Sequence, residues 1–126
     1  MAEEMLAEEP QNYALRQFYA WIIQQKVYLG ISKNRVADLE KSLELAKENL
    51  RSHDKDWIDA IALVAGNEGL LGRYSEACAR LPRMNKLLEE NNPNSGDIAM
   101  TAWINQNCEQ YEKAAKIRDV ISKRNK

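Results

Sequence analysis

A repeat of apolar residues in the first half of the chain limits the fold more than any other feature of the sequence. Its members recur at spacings of three, four, three and four: Val36, Leu39, Leu43, Ala46 and Leu50. This period places all of them on one side of an α-helix, while charged residues occupy the other sides. The repeat covers little more than two heptads. We therefore expect a helix over about residues 32–53 that packs within its own chain, with a homodimer seam as the alternative.

A second helix is predicted before this one, over about residues 11–29, with Pro10 near its start. Its apolar residues form a broad stripe, with a main set and a flanking set: Leu15, Phe18, Ile22 and Leu29, then Tyr19, Ile23 and Val27. Gly30 stands where helices commonly end, Ile31 supplies the accompanying hydrophobic contact, and Ser32 is a suitable N-cap. This short connection predicts an N-terminal antiparallel αα-hairpin.

The segment from Trp57 to Val64 has almost no polar face, so we expect this helix to lie at the centre of the fold. Asp54 or Asp56 is a suitable cap for its start. Glycines follow it, where we expect the backbone to turn or to approach another segment closely: Gly66, Gly69 and Gly72. They lack the Lys-Ser or Lys-Thr pair and the preceding strand that phosphate-binding and dinucleotide-binding loops require.

Two more helices are expected toward the C-terminus. The first covers about residues 73–90 and bends near Pro82, because proline removes a helical hydrogen-bond donor. A linker rich in turn-forming residues follows, and then a long last helix over about residues 97–123, which Ser95 or Asp97 is expected to cap.

No segment alternates apolar and polar residues over a useful length, so we predict no strand. The chain is long enough to bury a core of its own. The sequence therefore predicts an all-α bundle of about five helices in a single domain, residues 11–126, preceded by an acidic N-terminal tail, residues 1–10.

The overall charge and the cysteine content limit the compartment and the partners. The formal net charge of −1 gives no global reason to expect a membrane or nucleic acid as partner. No apolar run is long enough to span a membrane, and the acidic start differs from a signal peptide, so we expect a cytoplasmic protein. In that compartment Cys78 and Cys108 are expected to be buried thiols, with one disulfide as the alternative.

Residues suited to catalysis or metal binding are few. The single histidine, His53, lies at a predicted helix end, where it interacts favourably with the terminal carbonyls. Capping and solvation at a helix start account for Asp54, Asp56 and Asp59. We therefore predict no catalytic residue, no metal, no cofactor and no enzyme. The alternative is an enzyme whose carboxylates converge from distant helices.

The segment from Gly72 to Ala77, followed by Leu81, resembles the second half of a tetratricopeptide (TPR) repeat. In that family a small residue, an aromatic residue and an alanine pack paired helices. The Tyr-x-x-Ala spacing that begins at Tyr74 recurs at Tyr111, about one repeat length later. The resemblance implies TPR-like pairing of helices and a protein-binding scaffold.

The segment from Tyr111 to Ile121 is similar to the latter helix of the UVR motif, which occurs in excision-repair proteins and several unrelated regulators. An aromatic residue, a glutamate, two alanines and an Arg-Asp pair carry this similarity. In that family the helix is one arm of a small helical hairpin that contacts other proteins. The resemblance implies a protein contact at this part of the chain.

The end of the last helix is basic. From Lys113 onward there are six basic residues and one acid, Asp119. Nucleic acid would be attracted by this charge, although cations also stabilise the C-terminal end of a helix through its dipole. The candidate interaction residues of this helix are Trp103, Tyr111, Lys116, Arg118, Lys123 and Arg124.

The aromatic residues, Trp21, Trp57, Trp103 and five tyrosines, are suited either to stacking on a ligand or to filling the core. We expect most of them to fill the core, and an exposed one becomes an interface candidate. Helical patterning, the lack of catalytic motifs and both resemblances favour a non-enzymatic protein–protein interaction module. Such a module would be an adaptor, a chaperone-like factor or a small subunit of a larger assembly, and its partner another protein or a second copy. The alternative is a nucleic-acid-associated accessory protein that uses the basic C-terminal helix.

Overall fold

The computed structural model describes residues 2–90 and 95–124, and all regular structure in this part of the chain is helical. The helices are α1 (Ala2–Glu8), α2 (Tyr13–Tyr28), α3 (Arg35–Ser52), α4 (Ile58–Leu70), α5 (Tyr74–Ala79), α6 (Leu81–Glu90) and α7 (Ser95–Arg124). The prediction of an all-α bundle is confirmed. Most of the turn-rich linker lies outside the described residues. None of the helices in the described ranges has a stretch long and apolar enough to cross a membrane.

The predicted αα-hairpin is formed by α2 and α3. Gly30 has a φ of 77°, the left-handed conformation that closes a helix. The N–H groups of Gly30 and Ile31 donate to the carbonyls of Val27 and Lys26, each at 3.0 Å. The cap of α3 was predicted wrongly, because Asn34 rather than Ser32 accepts the N–H bond of the first turn.

The buried face of α2 differs from the predicted main stripe. Its apolar part consists of Tyr19, Ala20, Ile23 and Val27, whereas Phe18 and Leu29 are 52% and 67% exposed. Arg16 and Gln24 share the buried face because neighbouring helices supply acceptors for both of their side chains. The polar partners therefore rotate α2 away from its most apolar orientation and leave part of the apolar stripe in solvent.

The heptad repeat of α3 packs inside the chain, as expected. Leu39, Leu43 and Ala46 are buried, and α3 lies between α2 and α4. Val36 in the first turn lies outside this contact and is exposed. The helix is therefore an internal element of the bundle, and the homodimer seam considered for α3 is already covered by its neighbours.

Helix α4 is the centre of the bundle, as its composition predicted, and every residue from Ala60 to Gly69 is buried. Gly66 and Gly69 lie within this helix and allow α7 to approach closely: a Cβ on Gly66 would stand 2.8 Å from the sulfur of Met100. Gly72 ends the helix with a φ of 81°. The predicted aspartate caps are wrong, since Trp57 occupies the N-cap position without a side-chain bond.

Two polar residues of α4 are also fully buried, which its apolar pattern did not indicate. Asn67 accepts a hydrogen bond from Gln24 of α2 and donates one to Ser42 of α3. Glu68 accepts two hydrogen bonds from the guanidinium of Arg80, at 2.7 and 3.1 Å. These bonds fix the positions of α2, α3 and α5 against the central helix.

The last part of the bundle is held together by a disulfide. The predicted bend is present, because α5 ends before Arg80 and Pro82 lies in the first turn of α6. The prediction of free thiols is wrong: Cys78 of α5 and Cys108 of α7 are bonded, with their Cα atoms 5.7 Å apart. The two cysteines are 30 residues apart in the sequence, so no local pattern indicated that they meet. The packing of α5 against α7 brings them together.

The acidic N-terminal segment forms a helix rather than a tail. Helix α1 packs against α2. Its Glu3 carboxylate lies 3.5 Å from the ammonium of Lys41 on α3. Both groups are largely exposed, so this ion pair adds little stability.

Candidate functional site

An open groove runs between α2 and α7. Both helices pack against α4, but within the described residues no close backbone contact joins them to each other. The gap contains two cavities of about 410 and 210 Å³ that share Gln24, Gln25, Gly96 and Met100 in their linings. The two cavities are therefore adjacent, and we call them together the α2–α7 groove, with α4 as its floor.

Aromatic side chains line both walls of the groove. On α2, the rings of Phe18 and Trp21 stack with their centroids 6.3 Å apart, and Tyr28 continues this wall. The opposite wall contains Met100 and Trp103 of α7. Trp21 is 49% exposed, so the expectation of core filling is wrong for this residue. Because an exposed tryptophan is an interface candidate, Trp21 becomes one.

Two carboxyl groups meet at the end of the groove that is lined by Trp57. Asp59 lies in the first turn of α4 and Asp97 in the first turn of α7. Burial, then a hydrogen bond to Asp59 and the charge of Asp59, raise the pKa of Asp97 to about 8. At neutral pH Asp97 therefore retains its proton, and the two groups form a carboxyl–carboxylate pair. The predicted place of Asp59 at a helix start is confirmed, and its contact with Asp97 is a feature that the sequence did not indicate.

The carboxyl pair makes stability depend on pH. Asp97 is protonated in the folded chain up to about pH 8 but titrates near pH 4 when unfolded. The folded state binds more protons between these values, so its stability falls as the pH rises through this window and then levels off. We expect Asp97→Asn to match the native chain near about pH 4 and to exceed it by roughly 1–3 kcal/mol above about pH 8.

Urea unfolding of both proteins across this pH range measures the difference. Asp119→Asn is the matched control, because Asp119 is an exposed aspartate of the same helix. If the free energy of unfolding depends on pH in the same way for the native chain and for Asp97→Asn, Asp97 is not buried in a protonated state.

The other polar residues considered for chemistry lie elsewhere. His53 stacks on the ring of Tyr13 with centroids 3.4 Å apart. Asp56 pairs with Arg83, and Asp54 accepts a hydrogen bond from the Asp56 N–H. Within the described residues, no group of three potential metal ligands lies together. The convergence of Asp59 and Asp97 is the arrangement that the enzyme alternative required, but among the residues that the structure describes no nucleophile or histidine lines the groove beside it.

The second half of α7 continues beyond the bundle. Every residue from 109 to 124 is exposed, and we call this segment the α7 extension. It carries most of the predicted interaction residues: Tyr111, Lys116, Arg118, Lys123 and Arg124. Tyr111 stacks on Tyr74 with centroids 5.9 Å apart, whereas the apolar side chains of Ile117 and Ile121 are uncovered. Trp103, the remaining candidate, lies apart from the others in the wall of the groove.

The charges of the α7 extension do not form a single basic face. Lys113 and Lys123 are 3.6 and 3.8 Å from acids of the same helix, Glu109 and Asp119. Arg118 lies on roughly the opposite side of the helix from Lys116, given about 100° of rotation per residue. The segment that resembles the UVR helix is part of one continuous helix with the residues before it, so these residues do not fold back into a hairpin.

Comparison with known proteins adds no relative. No protein-family model matches the sequence, and no significant similarity to a curated protein or to a solved structure was found. The resemblances to the TPR and UVR families stay predictions, and the functional argument rests on the groove and the α7 extension.

Proposed function

We propose that this protein is a non-enzymatic protein–protein interaction module that binds an amphipathic helix in the α2–α7 groove. One observation carries this proposal: α2 and α7 both pack on α4 without close contact with each other, and exposed aromatic residues lie along the edge of the gap between them. Phe18, Trp21 and Tyr28 are 52%, 49% and 70% exposed along α2. Clustered aromatic residues of this kind are enriched among the residues that dominate binding energy.

A helix is the occupant that this shape favours. The walls and the floor of the groove are themselves helices, so an added helix would complete a packed layer with the spacing that helices normally adopt. Amphipathic helices commonly bind to such grooves through apolar residues at every third or fourth position. The glutamines of α2 and the carboxyl pair supply polar contacts at the edge.

Charge indicates which kind of helix would bind. In the described lining, the only carboxyl or basic side chains are those of Asp59 and Asp97, and this carboxyl–carboxylate pair carries a single negative charge at neutral pH. A partner helix with basic residues beside its apolar stripe would place opposite charge near this pair. A helix with acidic flanks would bring like charges together.

The test uses two synthetic helices with the same leucine stripe, one flanked by lysines and the other by glutamates. Each is labelled and titrated with the full chain, and binding is followed by fluorescence anisotropy. We expect the lysine-flanked peptide to bind and the glutamate-flanked peptide to bind at least about tenfold more weakly. Trp21→Ala should weaken binding of the first peptide by at least about tenfold.

Val36→Ala is the matched control, because Val36 is an exposed apolar residue of α3 that does not line the groove. Its affinity for the peptide should equal that of the native chain. Equal binding of both peptides, or equal losses from Trp21→Ala and Val36→Ala, would contradict the proposal.

Nucleic-acid binding is the alternative function. It would use the basic residues of the α7 extension and would weaken with salt, because binding releases counterions. The cations of this segment point to different sides of the helix, and two of them already have acidic neighbours. Anisotropy with a labelled oligonucleotide at low salt is therefore a further arm of the test. Strong binding that is lost when Lys116, Arg118, Lys123 and Arg124 are neutralised would favour the alternative.

The proposal fits several finer roles, and the disulfide bears on the compartment. Adaptor, chaperone-like factor and subunit of an assembly are all compatible with a helix-binding groove, as is TPR-like pairing of α4 with α5. Cytoplasmic localisation was expected from the sequence, but a disulfide is typical of oxidising compartments. We propose that the chain functions where this bond is maintained.

A further inference from the structure

We infer that the helix bound in the α2–α7 groove is the α7 extension of a second copy of this chain, which runs antiparallel to α7. This inference rests on the proposed function and names the occupant. Two uncovered surfaces support it, the groove and the α7 extension. The first half of α7 forms one wall of the groove, and the second half of the same helix is the α7 extension. A reciprocal exchange would cover both surfaces in each copy, as a two-fold symmetric dimer requires.

A heptad repeat runs along α7 beside the stripe that packs on the bundle. Its positions alternate in spacing between three and four: Met100, Trp103, Asn107, Gln110, Ala114, Ile117, Ile121 and Arg124. The buried residues that hold α7 to the bundle, Thr101, Ile104 and Cys108, follow one residue later and so lie about 100° around the helix. Met100 and Trp103 of the repeat line the groove and contact the glycines of α4, whereas its members from Gln110 onward are exposed.

In an antiparallel helix pair the first position of each heptad faces the fourth position of a partner heptad, and registers that fit this rule differ by whole heptads. We choose the register in which Trp103 faces the partner's Ile121. Asn107 would then face the partner's Ile117, and Met100 would face the partner's Arg124. The first of these pairings places exposed apolar area of the α7 extension against a residue that lines the groove.

The charges agree with this register. The partner's Arg124 would lie about one turn from Asp97 and so approach the carboxyl pair of the groove. The acids Glu112 and Asp119 occupy the outer side of the repeat, away from the contact. The two copies of Lys113 would come near the symmetry axis, where each is already compensated by Glu109 of its own chain.

The experiment is sedimentation velocity on the full chain over a wide range of concentration, with two substitutions on α7. Ile121→Glu changes a seam residue that is 52% exposed, and Ile98→Glu changes an off-seam residue that is 51% exposed. We expect a native dimer whose dissociation constant rises at least about tenfold with Ile121→Glu and is unchanged with Ile98→Glu. Both sites are exposed, and circular dichroism verifies that each variant keeps its helix content.

The lysine-flanked peptide separates failure of this inference from failure of the proposed function. Ile121→Glu, as a monomer with an open groove, should bind that peptide at least as tightly as the native chain does. A native chain that stays monomeric, or a dimer equally sensitive to both substitutions, overturns the inference. If such a chain still binds the peptide through Trp21, the proposed function stands alone. If monomeric Ile121→Glu binds no peptide, both fail.

Discussion

Substitution of Arg80 by alanine is expected to lower the free energy of unfolding by about 3–5 kcal/mol. The Glu68 side chain is 1% exposed, and both of its carboxylate oxygens accept hydrogen bonds from the Arg80 guanidinium. Without arginine, the carboxylate stays buried in the central helix with no compensating charge. Chemical denaturation monitored by circular dichroism measures the loss.

The control for this prediction is Arg51→Ala, which removes an exposed pair with Glu48 on the surface of α3. Exposed pairs of this kind contribute roughly 0–1 kcal/mol. A loss from Arg80→Ala no larger than the loss from Arg51→Ala would show that Glu68 has another partner or access to water. Arg80→Ala combined with Glu68→Gln should recover part of the stability, because no buried charge then remains.

Reduction of the Cys78–Cys108 disulfide is expected to cost about 3–4 kcal/mol, the value for a closed loop of 30 residues. The bond joins α5 to Cys108, the last buried residue of α7, so its loss should also loosen the base of the α7 extension. Thermal unfolding with and without a reductant measures the effect, and thiol labelling verifies that the bond has been reduced.

The double substitution Cys78→Ala and Cys108→Ala separates the effect of the cross-link from effects of the reductant. It should resemble the reduced native chain and should not respond to reductant. Equal melting temperatures for the oxidised and reduced native chains would contradict the expected contribution of the disulfide.

Much of the fold follows from local patterns in the sequence. The helical periodicity of α3 and the apolar composition of α4 are properties of single helices, and Gly30 supplies the conformation that ends α2. The orientation of α2 could not be predicted in the same way. Its buried face includes Arg16 and Gln24, and their acceptors come from residues that are distant in sequence. Polar partners in other helices thus determine which of the two apolar stripes of α2 is buried.

The groove could not be predicted for a related reason. A groove is a missing contact between α2 and α7, and no local pattern reports which two helices fail to meet. The pairing of Asp59 with Asp97 and the disulfide likewise depend on where α7 crosses the bundle. One signal was available in the sequence: Trp21 precedes Tyr28 by two turns, and both lie next to Phe18, beyond the edge of the predicted apolar stripe, which is already broad.

The α7 extension was the part of the site that the sequence indicated best. Its helical period, basic end and candidate residues are all visible in the amino-acid sequence. What the structure adds is that every residue of this segment is exposed, although Tyr111 stacks on Tyr74, and that its heptad repeat continues into the wall of the groove. A helical segment of this length with so little tertiary contact is marginally stable in water, so a partner would stabilise it.

The most direct test of the groove as a helix-binding site uses the indole N–H signals of the protein in a ¹⁵N-resolved NMR titration. The chain has three tryptophans, and Trp21 and Trp57 line the larger cavity while Trp103 lines the smaller. Addition of the lysine-flanked helix should shift all three indole signals along one saturation curve. If none of the three indole signals moves at a saturating concentration of the peptide, the groove is not the helix-binding site.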